Sequence, residues 1–115
     1  MTMPMIRYST QFVQGETLGG VHAHGRDWIF CFIRKPVRET VCATVSVDDG
    51  KGTYILRSRP DGTCLLWDAV ISGPQLIAAT MNDSGLLALA FDSNPKSVTV
   101  VADYEYDADD PSNNK

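Results

Sequence analysis

The chain has 115 residues, 43% of them apolar and 21% charged, with a formal net charge of -4. That length fits one hydrophobic core, and that composition lies far from the low-hydrophobicity, high-charge regime in which chains stay disordered. No apolar run reaches the roughly 20 residues that span a bilayer, and Met1 to Tyr8 lacks a secretory pattern, so the sequence reads as soluble and cytoplasmic.

Ile6 to Gln14 (IRYSTQFVQ) is the first strand-like run, followed by a loop through Gly15, Gly19 and Gly20. Residues 28–34 (WIFCFIR) alternate Trp28, Phe30 and Phe32 against Ile29, Cys31 and Ile33. Apolar on both faces, they predict a central strand covered on both sides. Residues 41–48 (VCATVSVD) place Val41, Ala43, Val45 and Val47 on one face and Cys42, Thr44, Ser46 and Asp48 on the other, the period of a half-exposed strand. Asp49 to Gly52 supply turn glycines before Thr53 to Arg59 (TYILRSR) resumes strand composition, so 41–59 reads as a hairpin. Asp48-Asp49-Gly50-Lys51-Gly52 resembles a fragment of a calcium loop but lacks its spaced oxygen ligands, and the hairpin turn is the reading taken.

The turn Arg59-Pro60-Asp61-Gly62 leads into Thr63 to Ile71 (TCLLWDAVI), making a meander. Ser72 to Met81 is open between a strand and a short helix near 73–81, since Ser72 offers a cap and Pro74 suits a first helical turn. Leu86 to Asp92 puts Leu87, Leu89 and Phe91 on one face, and Ser97 to Tyr106 puts Val98, Val100, Ala102, Tyr104 and Tyr106 on one face. Together these runs predict an all-β fold, an antiparallel β-sandwich or small β-barrel of seven to eight strands, as a single domain over 1–106. Residues 107–115 read as a disordered acidic and polar tail.

Cys31, Cys42 and Cys64 are an odd number at wide spacing, each in an apolar segment. They read as buried free thiols, with a Cys42 to Cys64 bridge left open.

His22-Ala23-His24 has the spacing that puts two imidazoles on one strand face, within reach of one metal ion. Further ligands would come from Asp27, Glu16 or a cysteine, because the chain holds no other histidine. The segment Gly15 to Gly25 (GETLGGVHAHG) resembles the first metal motif of the cupin family, in which a glycine precedes a His-x-His on a barrel strand. The resemblance implies a metal-holding barrel, but Gly25, Arg26, Asp27 and Trp28 stand where a cupin glutamate would follow, and no later histidine completes a second motif. No cofactor is otherwise implied.

Charge is divided unevenly. Residues 1–60 hold eight basic and five acidic side chains, residues 61–115 two basic and nine acidic. Arg34, Lys35, Arg38, Arg57 and Arg59 are a candidate basic patch, yet the acidic half argues against nucleic acid. Asp103, Tyr104, Glu105, Tyr106 and Asp107 alternate carboxylates with rings, a pattern suited to docking on a basic protein partner. No nucleophile-base arrangement, phosphate loop or Gly-x-Ser-x-Gly turn occurs, which argues against an enzyme. The expectation is a non-enzymatic protein-binding module, such as an inhibitor or immunity-type protein. The alternatives are a metal- or ligand-binding barrel at His22 and His24, and an assembly subunit pairing through sheet edges.

Overall fold

A computed structural model describes residues 5–13, 21–32, 36–37, 40–82 and 85–106. Among them are nine strands and no helix: β1 (Met5–Val13), β2 (Val21–His24), β3 (Asp27–Cys31), β4 (Cys42–Val47), β5 (Gly52–Ser58), β6 (Cys64–Ile71), β7 (Leu76–Met81), β8 (Leu86–Phe91) and β9 (Ser97–Glu105). They form a five-stranded sheet in the order β1-β9-β4-β5-β6 and a four-stranded sheet in the order β2-β3-β8-β7, antiparallel throughout.

Alternation of apolar residues decides which face of each strand turns inward. Val45, Val47, Val98 and Val100 of the five-stranded sheet and Trp28, Phe30, Leu87, Leu89 and Phe91 of the four-stranded sheet are buried in one core. Two sheets each wet on their outer side and sharing that core make a sandwich. The closed-barrel alternative is corrected, because among the described residues no strand ladder joins the two sheets, and β6 and β7 are linked by the isolated bridge Thr63 to Thr80 rather than paired along their length. A short strand at 21–24, which carries the His-x-His pair, raises the expected seven to eight strands to nine among the described residues.

The helix option near 73–81 is also corrected. Its backbone groups are taken by neighbouring chain: the Leu76 amide donates to the Tyr54 phenolic oxygen at 3.0 Å, and the Met81 amide to the Gly62 carbonyl at 2.8 Å. Leu76 and Ala79 are buried, and the pairing with β8 shifts between Leu76 and Ala78, so Ile77 is the extra residue of a β-bulge. A helix would break these sheet contacts.

The 41–59 hairpin forms as read, with Asp48 and Asp49 at φ 50° and 58° and Gly50 at φ 94° in the turn. Asp48 also holds the start of β9, its carboxylate accepting from the amides of Lys96 at 2.7 Å and Ser97 at 3.1 Å. Of the run expected at 28–34, Trp28 to Cys31 lie in an internal strand, β3 between β2 and β8, with Ile29 on its outer side only half-buried, and 33–34 lie outside the described residues. The expected tail at 107–115 lies outside the described residues. Among the described residues no helix is long and apolar enough to cross a membrane.

Candidate functional site

The outer face of the five-stranded sheet is built by register. Ser9 of β1, Val101 of β9, Thr44 of β4, Ile55 of β5 and Trp67 of β6 are successive cross-strand partners, forming one row across all five strands. A second row, one pleat away, runs Arg7, Asp103, Cys42, Arg57, Leu65.

β5 alternates Tyr54, Leu56 and Ser58 inward against Thr53, Ile55 and Arg57 outward, so the inward set commits Ile55 to water. Pairing with β6 then places Trp67 directly opposite it. Ile55 is 49% exposed and Trp67 50% exposed, side by side. Fully burying a large apolar side chain is worth about 1.5–3 kcal/mol, so covering the exposed half of each member of the pair would return roughly half of that. Directly opposed residues have Cβ atoms about 5 Å apart, close enough to act as one apolar surface. Neither residue stands out in the sequence, because CLLWDAVI has no polar alternation to mark Trp67 as outward.

The acidic strand read at 103–107 divides between two sides. Tyr104 is fully buried, with its ring 4.8 Å from Phe32, and Tyr106 is half-buried against the core. The expected row of presented rings is therefore corrected: the alternation that puts Tyr104 with Val98, Val100 and Ala102 prevails. Asp103 and Glu105 take the opposite parity on the outer face, and Asp103 pairs with Arg7 at 3.2 Å. Both partners of that pair are well exposed, so it orients side chains more than it stabilises the fold. Asp107 lies outside the described residues.

Of the basic patch, Arg57 and Arg59 are exposed, and Arg34, Lys35 and Arg38 lie outside the described residues. Arg57 shares its row with Asp103, two strands away on the far side of Cys42, which makes this face charge-mixed. Phosphate binding gains nothing from such an arrangement.

His22 and His24 occupy β2 at the edge of the four-stranded sheet, opposite Ile29 and Asp27, and Ala23 between them packs against the core. The two imidazoles lie outside the described side chains. No group of three His, Cys, Asp or Glu is placed to hold a metal among the described residues.

The cysteines are free thiols. Cys42 is exposed, which corrects its expected burial, because it sits on the outward parity of β4. Cys64 is half-buried and packs against the core, so the two thiols face opposite sides and no bridge joins them. Burial pushes the Cys64 thiol above its ordinary range, away from nucleophilic use. Burial likewise raises Tyr8, whereas the hydroxyl and amide of Thr63, at 2.6 and 2.9 Å, hold the Asp61 carboxylate below its usual range. Asp61 is thereby a turn clasp.

The outer face of the four-stranded sheet carries a shallow groove of about 260 Å³ lined by Ile29, Ala78, Thr80, Ala88 and Ala90 among others, with Asp27 at its margin. Its small side chains offer no convergent polar groups.

No protein-family model, curated protein or solved structure matches the chain.

Proposed function

We propose that the protein is a non-enzymatic protein-binding module that meets its partner with the outer face of the five-stranded sheet. Ile55 and Trp67 form the apolar anchor, and Asp103 and Glu105 on the same face supply acidic groups at its margin. The partner surface that fits is an apolar pocket with charges of both signs around it, since Arg57 lies beside the pair and Asp103 is matched by Arg7 on the same face. The observation that carries the reading is the exposed Ile55-Trp67 pair, since half-exposed tryptophan beside an aliphatic side chain and an arginine is the composition of interface hot spots.

The test compares proteins co-purified from the native host by the wild type, Trp67→Ala, Ile55→Thr and Ile77→Thr. Ile77 is 63% exposed on the other sheet and serves as the control. The reading predicts a partner retained by wild type and Ile77→Thr and lost from both sheet-face variants. A partner equally retained by Trp67→Ala and Ile55→Thr contradicts it.

A further inference from the structure

The recognition face ends at β6, and β6 is an unusual strand to find at an edge. It pairs with β5 on one side, and on the other, among the described residues, its bridging to β7 is confined to Thr63 and Thr80 just before its start. Seven of the eight residues of CLLWDAVI carry no charge, and the run contains no proline, lysine or arginine. Edge strands are ordinarily blunted by such residues because bare backbone amides and carbonyls template pairing with another chain. Both sides of β6 also stay partly open. Leu65 and Trp67 point outward, and Leu66 and Cys64, although turned to the core, remain only half-buried.

The other three edges differ. β1 carries Arg7, Ser9, Thr10 and Gln11, β2 is only four residues long, and β7 is bulged at Ile77, which bends its ladder. In β6 the residues Cys64 to Asp68 hold unbroken register with Ser58 to Tyr54, and the irregularity falls beyond them.

From these features we infer that two copies of the chain pair through β6, antiparallel about a twofold axis at Leu66, to form one continuous ten-stranded sheet. This deepens the protein-binding reading and rests on its recognition face. With the axis at the centre of the regular stretch, Leu66 opposes its own counterpart and Trp67 opposes Leu65 of the second copy. Such aromatic-aliphatic opposition is favourable across strands, and the antiparallel edge is self-complementary under a twofold axis. Inside, the row Leu56-Leu66 continues into Leu66-Leu56 of the second copy, covering two leucines that are now half-open. Outside, the two Ile55-Trp67 pairs become one apolar ridge, so the partner is offered a two-fold surface. Each copy carries a net charge of -4, so added salt strengthens the pairing.

Sedimentation of the full chain from micromolar to near-millimolar concentration tests the inference, using wild type, Trp67→Lys, Leu65→Lys and Ile77→Lys, each checked for an unchanged far-ultraviolet spectrum. The expected result is a doubling of mass with concentration in wild type and Ile77→Lys, lost in Leu65→Lys and Trp67→Lys. Either lysine variant suffices should the other fail to fold. A wild type that stays monomeric throughout, or a dimer lost only in Ile77→Lys, overturns the inference. A monomer that still holds a Trp67-dependent partner would leave the recognition face standing and remove only the pairing. A dimer through β6 with no such partner would do the reverse.

Discussion

The Tyr54 phenolic oxygen accepts a 3.0 Å hydrogen bond from the backbone amide of Leu76, tying β5 of the five-stranded sheet to the first residue of β7 in the other sheet. Tyr54 is 1% exposed and Leu76 7% exposed, so this bond is made away from water. Tyr54→Phe keeps the ring and removes the acceptor, leaving a buried amide unsatisfied. The expected cost is about 1–3 kcal/mol in urea unfolding with an unchanged slope. A loss below a few tenths of a kcal/mol would show that water replaces the hydroxyl.

Gly85 tests a different constraint. It sits at φ 82°, and a Cβ there would lie 2.9 Å from Pro36 Cδ, whereas Gly50 at φ 94° has nothing within 4 Å. Both alanine variants incur left-handed strain of about 1–2 kcal/mol. Gly85→Ala is expected to lose more than Gly50→Ala in the same denaturation assay. Equal losses would mean that the Pro36 contact yields without cost.

Burial raises both Cys64 and Tyr8, so their folded forms hold the proton more tightly than the unfolded chain does. The associated stability is complete below the unfolded values and is lost as pH climbs through the raised folded values. Thermal midpoints should therefore fall from the thiol range upward into the phenol range, and Cys64→Ala should flatten the first part of that fall. A midpoint that drops identically in wild type and Cys64→Ala would remove Cys64 from the account. Asp61 works in the opposite sense, its contribution present above the ordinary carboxylate range and lost as pH falls through its lowered folded value.

Thiol labelling separates the cysteines. Cys42 is exposed and Cys64 half-buried with its thiolate disfavoured, so maleimide should modify Cys42 first in native protein. Mass spectrometry of digested, partly labelled protein reads the order, and labelling of Cys64 ahead of Cys42 would contradict the assigned faces of β4 and β6.

Much of the fold was legible because single residues carry the period of two. Val41 to Val47 and Leu87 to Phe91 each present an unbroken apolar face, and all of those inward residues are buried. Legibility failed where a run lacks polar contrast or where two patterns compete. LIAATM fits helix or strand by composition, and only the tertiary partners of Leu76 and Met81 decide it. In Asp103 to Tyr106 the charge pattern points to an exposed strand, whereas the alternation with Val98 and Val100 assigns Tyr104 to the core, and the core prevails. Trp67 could not be found from β6 alone; its position follows from the register with β5, where Ile55 is the outward partner.

Ile55 and Trp67 are proposed to mark a protein-recognition face. A photo-crosslinking amino acid placed at position 67 in one variant and at position 77 in another, irradiated in the native host, tests it most directly. The expected result is a discrete adduct with a different protein from position 67 and none from position 77. An adduct from position 77 alone would contradict it.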